Sequence, residues 1–184
     1  VGSSDPRFFD RYWFAICEPA GAAAAQVTLG VYNNMNVVDC GAVVVRGAKQ
    51  HNLRASRSLR PRFEASVGAL RIDVLEPLAK HRIRIDAASQ SLALPRLACD
   101  LEWSALLPPE EERPHFRRER GRAVEDYQRF NQIGEVNGWI EVGGELLLAR
   151  RWWSCRDHSW GIRQGIGIAE PVTGPQPPAS QVGS

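Results

Sequence analysis

The chain has 184 residues, with 23 basic and 21 acidic side chains and a net charge of +2. This near balance gives no electrostatic reason to expect a nucleic-acid partner, and no apolar run approaches the roughly 18–20 residues of a membrane span. The hydrophobic fraction of 43% is ordinary for a globular protein, so one domain with a sizeable core is expected.

Hydrophobic and polar residues alternate along much of the chain, and this period of two predicts half-buried strands. The first clear hairpin signal is VVVRGAKQHNLRAS, which turns at residues 46–48. A second turn is predicted at Pro77 and a third at Gly143-Gly144, where two glycines suit a tight hairpin. The buried faces of the strands between these turns are predicted to carry Leu70, Ile72, Val74, Ile83, Ile85, Leu97, Cys99, Leu101 and Trp103.

No segment carries a convincing helical stripe. Residues 110–127 are highly charged, but Pro114 and Gly121 interrupt them, so a loop that leads into a strand from Ala123 is predicted. Strands at this spacing, joined by tight turns, predict an all-β fold, either an antiparallel barrel or a strongly curved sheet.

The composition changes at about Gln164, after which the chain is rich in Gly, Pro and Ser. Residues 1–163 are therefore predicted to form the barrel domain, and residues 164–184 a linker or a disordered tail. The chain begins with Val1 rather than Met, so we expect a fragment or a processed form, in which the linker leads to a second domain.

The cysteine and histidine patterns predict neither a metal nor a cofactor. Cys17, Cys40, Cys99 and Cys155 are far apart, and no two of them form a C-x-x-C pair. We expect reduced, mostly buried thiols in a cytoplasmic protein, since no signal peptide precedes them. The histidines match no zinc-binding spacing, and nucleotide-binding and hydrolase motifs are absent.

The segment RRWWSCRDHSWGIR, residues 150–163, is the strongest candidate site. On a strand, Asp157 points to one face, while His158 and Trp160 point to the other. If Asp157 faces a lumen walled by tryptophan, burial raises its pKa and makes it a general acid, with His158 as the second catalytic residue. The tryptophans predicted to line the ligand pocket are Trp152, Trp153 and Trp160, whose ring faces would stabilise a developing carbocation.

The alternative for Asp157 is structural. In that case an ion pair with a nearby arginine lowers its pKa, and Asp157→Asn would cost about 3–5 kcal/mol by leaving a buried charge unpaired. The abundance of arginine just upstream, at Arg150, Arg151 and Arg156, favours this ion-paired state.

The remaining ligand-binding candidates are more scattered. Asp39 lies among apolar residues in YNNMNVVDCGAVVV, and such an acid needs a partner, such as an arginine, or a function. In KQHNLRASR, Asn52 and Arg54 share a polar face that either positions a ligand head group or forms the solvent side of an edge strand. Trp103 and Tyr127 complete this set.

Six segments together resemble an uncharacterised bacterial domain family that is similar to the lipocalin-like AttH proteins and the carotenoid 1,2-hydratases (hydroxyneurosporene synthases). The segments are YWFAICEP, VYNNMNVVDCGAVVV, KQHNLRASR, LRIDVLEPL, DYQRFNQIGEVNGWIEV and RRWWSCRDHSWGIR. The resemblance covers about Phe8 to Arg163, and its link to the hydratases rests on the W-x-x-x-D-H-x-W-G segment. It implies a calycin-like barrel, often the first of two, and a hydrophobic ligand of isoprenoid, steroid or lipid type.

Three functions are consistent with these observations. The first is acid-catalysed hydration or isomerisation of an apolar substrate, and the second is a non-catalytic carrier. The third is a structural half of a two-barrel protein whose site lies in or against the second barrel. The face on which Asp157 lies discriminates between them. An inward position beside a cavity of about 300 Å³ or more favours the first two, and an outward position or a filled barrel end favours the third.

Overall fold

The computed structural model describes residues 2–62, 64–86, 88, 96–119 and 121–166, and these residues form an antiparallel β-sheet. A 3-10 turn at Asn33–Met35 precedes the third strand, and Asn36 ends it with a φ of 57°. The strands are β1 Phe8–Cys17, β2 Ala23–Tyr32, β3 Val37–Arg46, β4 Lys49–Ser58, β5 Ser66–Val67, β6 Leu70–Glu76, β7 Lys80–Ile85, β8 Leu97–Ala105, β9 Glu110–Glu111, β10 His115–Glu119, β11 Arg122–Val142 and β12 Glu145–Ile162.

The sheet curls into an almost closed barrel. Ten strands follow the order β4-β3-β2-β1-β12-β11-β8-β7-β6-β5, and β9 and β10 pair with β11. The two ends of this order approach each other, since Nε of Arg57 in β4 donates to the carbonyl oxygen of Ser66 in β5 at 2.9 Å. The antiparallel barrel predicted from the alternating sequence is therefore confirmed.

The inner face of the barrel carries the hydrophobic core. The predicted faces of β6, β7 and β8 point inward, and Ile83, Leu101 and Trp103 are almost completely buried. Val74, near the end of β6, is 51% exposed, so the burial predicted for it is wrong. Phe14 and Ile16 of β1 meet them from the opposite wall. Each such side chain contributes about 1.5–3 kcal/mol on burial, so this core holds the barrel wall in place.

The long hairpin of β11 and β12 connects the two walls. Gly143 and Gly144 form its tip with φ values of 60° and 84°, as the sequence predicts. A bulge between Val136 and Gly138 bends it. At Gly138, where φ is 136°, a Cβ would lie 2.1 Å from the carbonyl oxygen of Asp100, so only glycine fits. Beyond the bend, β12 pairs with β1, which places the end of the chain beside its beginning.

Two predictions about the less regular segments have different outcomes. The strand predicted from Ala123 is confirmed as β11, but the loop predicted before it is wrong, because β9 and β10 form there and pair with the first half of β11. Most side chains of these short polar strands are exposed to solvent, so their charges do not disfavour strand pairing. Residues 167–184 lie outside the described residues, so the domain boundary at Gln164 stays a prediction.

The four cysteines are free thiols, with Cys40 and Cys99 buried and Cys17 exposed. Burial raises the pKa of the Cys99 thiol to about 12 and that of Cys40 to about 11. Among the described residues there is no helix with the length and hydrophobicity that a membrane crossing requires.

Candidate functional site

A cavity of about 420 Å³ opens at one end of the lumen. Its size falls within the range of about 300–1,000 Å³ that is typical of small-molecule sites. Aromatic and aliphatic side chains form most of the wall, and a few polar groups converge on it. The lining residues are Asp10, Tyr12, Val74, Pro77, Leu78, His81, Phe130, Arg156, His158 and Trp160.

The imidazole of His158 is held inside this cavity by β1. Tyr12 lies directly opposite His158 in the strand pairing, and the two rings stack with centroids 4.3 Å apart. Nε2 of His158 lies 2.8 Å from Oδ1 of Asp10, two residues earlier on β1. Phe130 of β11 meets the same imidazole edge-on at 5.3 Å. The cavity therefore contains a histidine–carboxylate pair whose ring orientation is fixed by packing.

Arg156 forms the floor of the cavity, and only 2% of its surface is exposed. Its guanidinium carbon lies 4.9 Å from the ring centroid of Phe130 and 5.5 Å from that of Tyr12. Among the described residues no carboxylate forms an ion pair with Arg156, and its Nε has no hydrogen-bond partner. Burial lowers the pKa of this guanidinium. The floor of the cavity is thus a buried cation without an anion.

Gln132 fixes the position of Arg156. Its Nε2 donates to the carbonyl oxygens of Leu78 and Leu107, at 2.8 and 3.0 Å. This leaves Oε1 of Gln132 to accept a hydrogen bond from Arg156 at 3.1 Å. The guanidinium is therefore anchored through a neutral side chain that does not neutralise its charge.

His81 is buried beside Arg156, with 1% of its surface exposed. Its ring meets those of Phe14 and Trp103 edge-on, at 5.7 and 5.5 Å. Burial, followed by repulsion from Arg156 and His158, lowers the pKa of His81 to about 4. At neutral pH His81 is therefore uncharged, and Arg156 is the charged group of this part of the core.

Four of the residues predicted to form the site lie on the inner face. His158 and Trp160 line the cavity, as their alternation on β12 allows. Trp103 is fully buried behind the cavity, against His81. Trp152 is buried in the hydrophobic core farther along β12, away from the cavity lining.

Asp157 lies on the outer face, opposite to His158. Its neighbours in the pairing are Trp13 of β1 and Asn131 of β11, and its Oδ2 is 3.5 Å from Nε of Arg129. Burial raises the pKa of Asp157, and the attraction of Arg129 offsets this only in part. The lumen position is therefore wrong for Asp157, since strand alternation turns it away from the cavity. An arginine partner is present, but the lowered pKa expected from it is also wrong.

The other predicted ligand-binding residues are also outside the lumen. Trp153 is 65% exposed on the outer face of β12. Asn52 and Arg54 are exposed on β4, so the solvent side of an edge strand is the correct alternative for them. Tyr127 stacks on His115 with ring centroids 4.5 Å apart, on the same face as Asp157.

Asp39 also lies on the outer face, half buried on β3. Its Oδ1 and the hydroxyl of Tyr32 fill the space above Gly30, where a Cβ would lie 2.9 and 2.7 Å from them. Burial raises the pKa of this carboxyl. Asp39 therefore belongs to a polar cluster on the outside of the barrel and does not contact the cavity.

Sequence reasoning missed most of the cavity. The residues that it did not select are Asp10, Tyr12, His81, Phe130, Gln132 and Arg156. Arg156 carried a usable signal, since it shares a face with His158 and Trp160 in a period of two. The others come from strands that are distant in sequence, and their position depends on pairing that no local pattern reveals.

We expect Asp157→Asn to change the unfolding free energy by less than about 1 kcal/mol, as is typical of weak ion pairs. The reason is that Arg129 keeps Glu112, whose Oε2 lies 2.6 Å from its NH2, so no unpaired charge is left behind. Urea unfolding of both proteins measures the difference. A loss of about 3–5 kcal/mol would instead mean that Asp157 belongs to a tightly coupled buried pair.

The stability of the protein should fall between pH 6.5 and pH 4 because of His81. The unfolded chain takes up this proton near the ordinary pKa of 6.5, whereas the folded protein takes it up only near 4. Across that window the difference in proton uptake lowers the free energy of unfolding by on the order of 3 kcal/mol. Urea unfolding of the wild-type protein and of His81→Phe at several pH values measures this effect. The variant should lack the part of the stability loss that the protonation of His81 causes. Parallel pH profiles would contradict the assignment.

Among the described residues, no group of three or more His, Cys, Asp or Glu side chains is arranged to hold a metal ion. No curated protein matches the chain in sequence. Among solved structures, the chain is similar to kievitone hydratase from Nectria haematococca, with a TM-score of 0.60 at 15% sequence identity. At this identity the similarity shows a common fold, in agreement with the resemblance to lipocalin-like hydratases.

That similarity covers 90% of this chain but 53% of the hydratase, so the chain spans about half the length of the protein that it matches. In sequence, residues 1–183 match the family of unknown function DUF8625. The match extends over nearly the whole chain, and the chain therefore belongs to this family.

Proposed function

We propose that the protein binds an apolar small molecule in the lumen cavity and catalyses its hydration or isomerisation by proton transfer through His158. The observation that carries this proposal is the His158–Asp10 pair inside an aromatic-walled cavity of about 420 Å³. The common fold with a hydratase supports the reaction class.

The walls of the cavity favour an apolar ligand. Tyr12, Phe130 and Trp160 present ring surface to the lumen, and burial against such surface contributes about 25 cal/mol per Å² of apolar area. Two of the polar groups of the cavity, His158 and Arg156, are neighbours on the inner face of β12. A bound molecule would therefore be oriented with its reactive part toward these two side chains.

His158 is the residue best placed to move a proton. Histidine is the side chain that most often acts as a general acid or base, and Asp10 fixes the orientation of the His158 ring. In hydration, the imidazolium protonates one carbon of a double bond, water adds to the other carbon, and the excess proton of that water returns to His158. The net change is the addition of one water molecule. In isomerisation, the imidazole removes a proton from one carbon and returns it to another.

The rival function is a structural half of a two-barrel protein. Two observations favour it: the chain spans about half the length of the hydratase, and Asp157 faces outward. In that case the cavity is completed by a second barrel, and this chain alone binds no ligand. A non-catalytic carrier would bind ligand in the same cavity without converting it.

We expect the neutral fluorescent probe N-phenyl-1-naphthylamine to bind in the cavity and Val74→Trp to weaken this binding at least about tenfold. Val74 lines the cavity mouth, where an indole would occupy the space of the ligand. Leu75→Trp is the matched control, because Leu75 is equally exposed, at 51%, but does not line the cavity. Equal probe binding by both variants would place the probe elsewhere and favour the structural role.

Hydration itself is tested with geraniol and geranic acid, two isoprenoids that each contain at least one isolated double bond, incubated in oxygen-18 water. We expect a product heavier by one labelled water, which mass spectrometry detects. His158→Ala should slow its formation at least about 100-fold, since general acid–base catalysis contributes about 10²–10⁴. Asp157→Asn, on the outer face, is the control and should retain the activity. Probe binding without any labelled product would favour a carrier.

A further inference from the structure

We infer that the ligand of the lumen cavity carries an acidic oxygen, a carboxylate or a phenolate, and that Arg156 binds it. This inference rests on the proposed function, because it concerns the same cavity. It narrows the substrate class from apolar molecules in general to apolar molecules that carry an ionised oxygen. Pure hydrocarbons and neutral alcohols fall outside this class.

The first argument is the missing counter-ion of Arg156. Buried charges in proteins are normally paired, because removing an ion from water is costly. Arg7, which is 8% exposed, pairs with Asp5 at 2.7 Å, and the partly buried Arg129 pairs with Glu112 at 2.6 Å. Arg156 is more buried than either, at 2% exposure, yet no carboxylate among the described residues reaches it. An anionic ligand would supply the partner.

The second argument is the concentration of unpaired nitrogen atoms around Arg156. Nε of Arg156, Nδ1 of His81 and Nε1 of Trp103 are all buried, and none has a partner among the described residues. The three side chains are in contact, since the guanidinium lies 5.8 Å from the ring of Trp103 and His81 lies 5.5 Å from it. Arg156 and His81 line the cavity, whereas Trp103 lies behind it. A guanidinium only donates hydrogen bonds, so the group that a ligand would supply to Arg156 is an acceptor oxygen.

The third argument comes from the reaction. Protonation of a carbon–carbon double bond develops positive charge on the substrate, and a buried guanidinium in the same cavity repels it. The aromatic rings of Tyr12 and Phe130 hold the guanidinium but do not remove its charge. An ionised oxygen on the substrate, bound at Arg156, compensates this charge and allows a cation to develop near His158.

The test compares geranic acid with geraniol, which share one isoprenoid chain and differ in a carboxylate against a hydroxyl group. Both compete with N-phenyl-1-naphthylamine for the wild-type protein at neutral pH. We expect geranate to displace the probe with an inhibition constant at least about tenfold lower than that of geraniol. If the probe binds and the two competitors are equal, this inference is overturned while the proposed binding function stands. If the probe does not bind, the proposed function fails as well.

Variants of Arg156 locate the preference. Arg156→Met retains most of the length of the side chain without its charge. The ratio of the two inhibition constants should fall to about one in this variant, whatever its affinity for the probe. Arg156→Lys retains the charge and should keep most of the preference for geranate. This variant tests the inference even if Arg156→Met does not fold. Arg163→Met is the matched control, because Arg163 also lies over aromatic rings, those of Phe9 and Tyr127, but outside the cavity. A preference for geranate that survives in Arg156→Met or is lost in Arg163→Met would overturn the inference.

Discussion

The pairing of β1 with β12 is the constraint on which the candidate site depends. It runs without a break from Phe8 opposite Ile162 to Cys17 opposite Trp153, and it joins the first strand to the last. Because side chains alternate across a strand, this register decides which residues face the lumen. It places Tyr12 against His158 and Phe14 against Arg156, and it turns Asp157 outward. A slip of one residue would exchange the two faces of β12 and bring Asp157 into the lumen in place of Arg156 and His158.

The sequence predicted the barrel because its inner and outer faces differ in hydrophobicity. In β6, β7 and β8 the alternation is clear, and the predicted inner residues, such as Ile72, Ile83 and Leu101, are buried. In the RDHSWGIR segment the alternation was also correct, but both faces carry charged residues. Hydrophobicity therefore does not indicate which of Arg156 and Asp157 points inward. Only the pairing with the apolar Phe14 of β1 resolves it.

The rest of the site depends on contacts between distant parts of the chain. Asp10 reaches His158 across 148 positions of sequence, and Arg156 approaches His81 only because the barrel curls. No local pattern encodes such contacts, which is why these residues escaped prediction. The same limit explains the error in the segment before β11, from residue 110 onward. Proline, glycine and charge argue against a helix there, but they do not exclude short outer strands that pair with β11.

The two faces of β12 use charge in different ways. Outside, carboxylates and arginines compensate one another, as in the cluster where Glu112 accepts hydrogen bonds from Arg129 and Asn131. There hydrogen bonds from Arg129 and His115 hold the pKa of Glu112 at about 2, so this carboxylate remains ionised over the whole physiological range.

Inside, Arg156 contacts Gln132 and aromatic rings but forms no ion pair with any carboxylate that the structure describes, and His81 is kept neutral at its side. A protein that needed only a filled core would gain stability by replacing these polar groups with apolar ones of the same volume. Local violations of packing rules of this kind are characteristic of functional sites, whose cost the surrounding fold must offset. The barrel wall of Phe14, Trp103 and their neighbours provides that support. The uncompensated charge is therefore a stronger indication of a ligand than the cavity volume is, because a cavity is explained by imperfect packing, whereas a buried unpaired arginine is not.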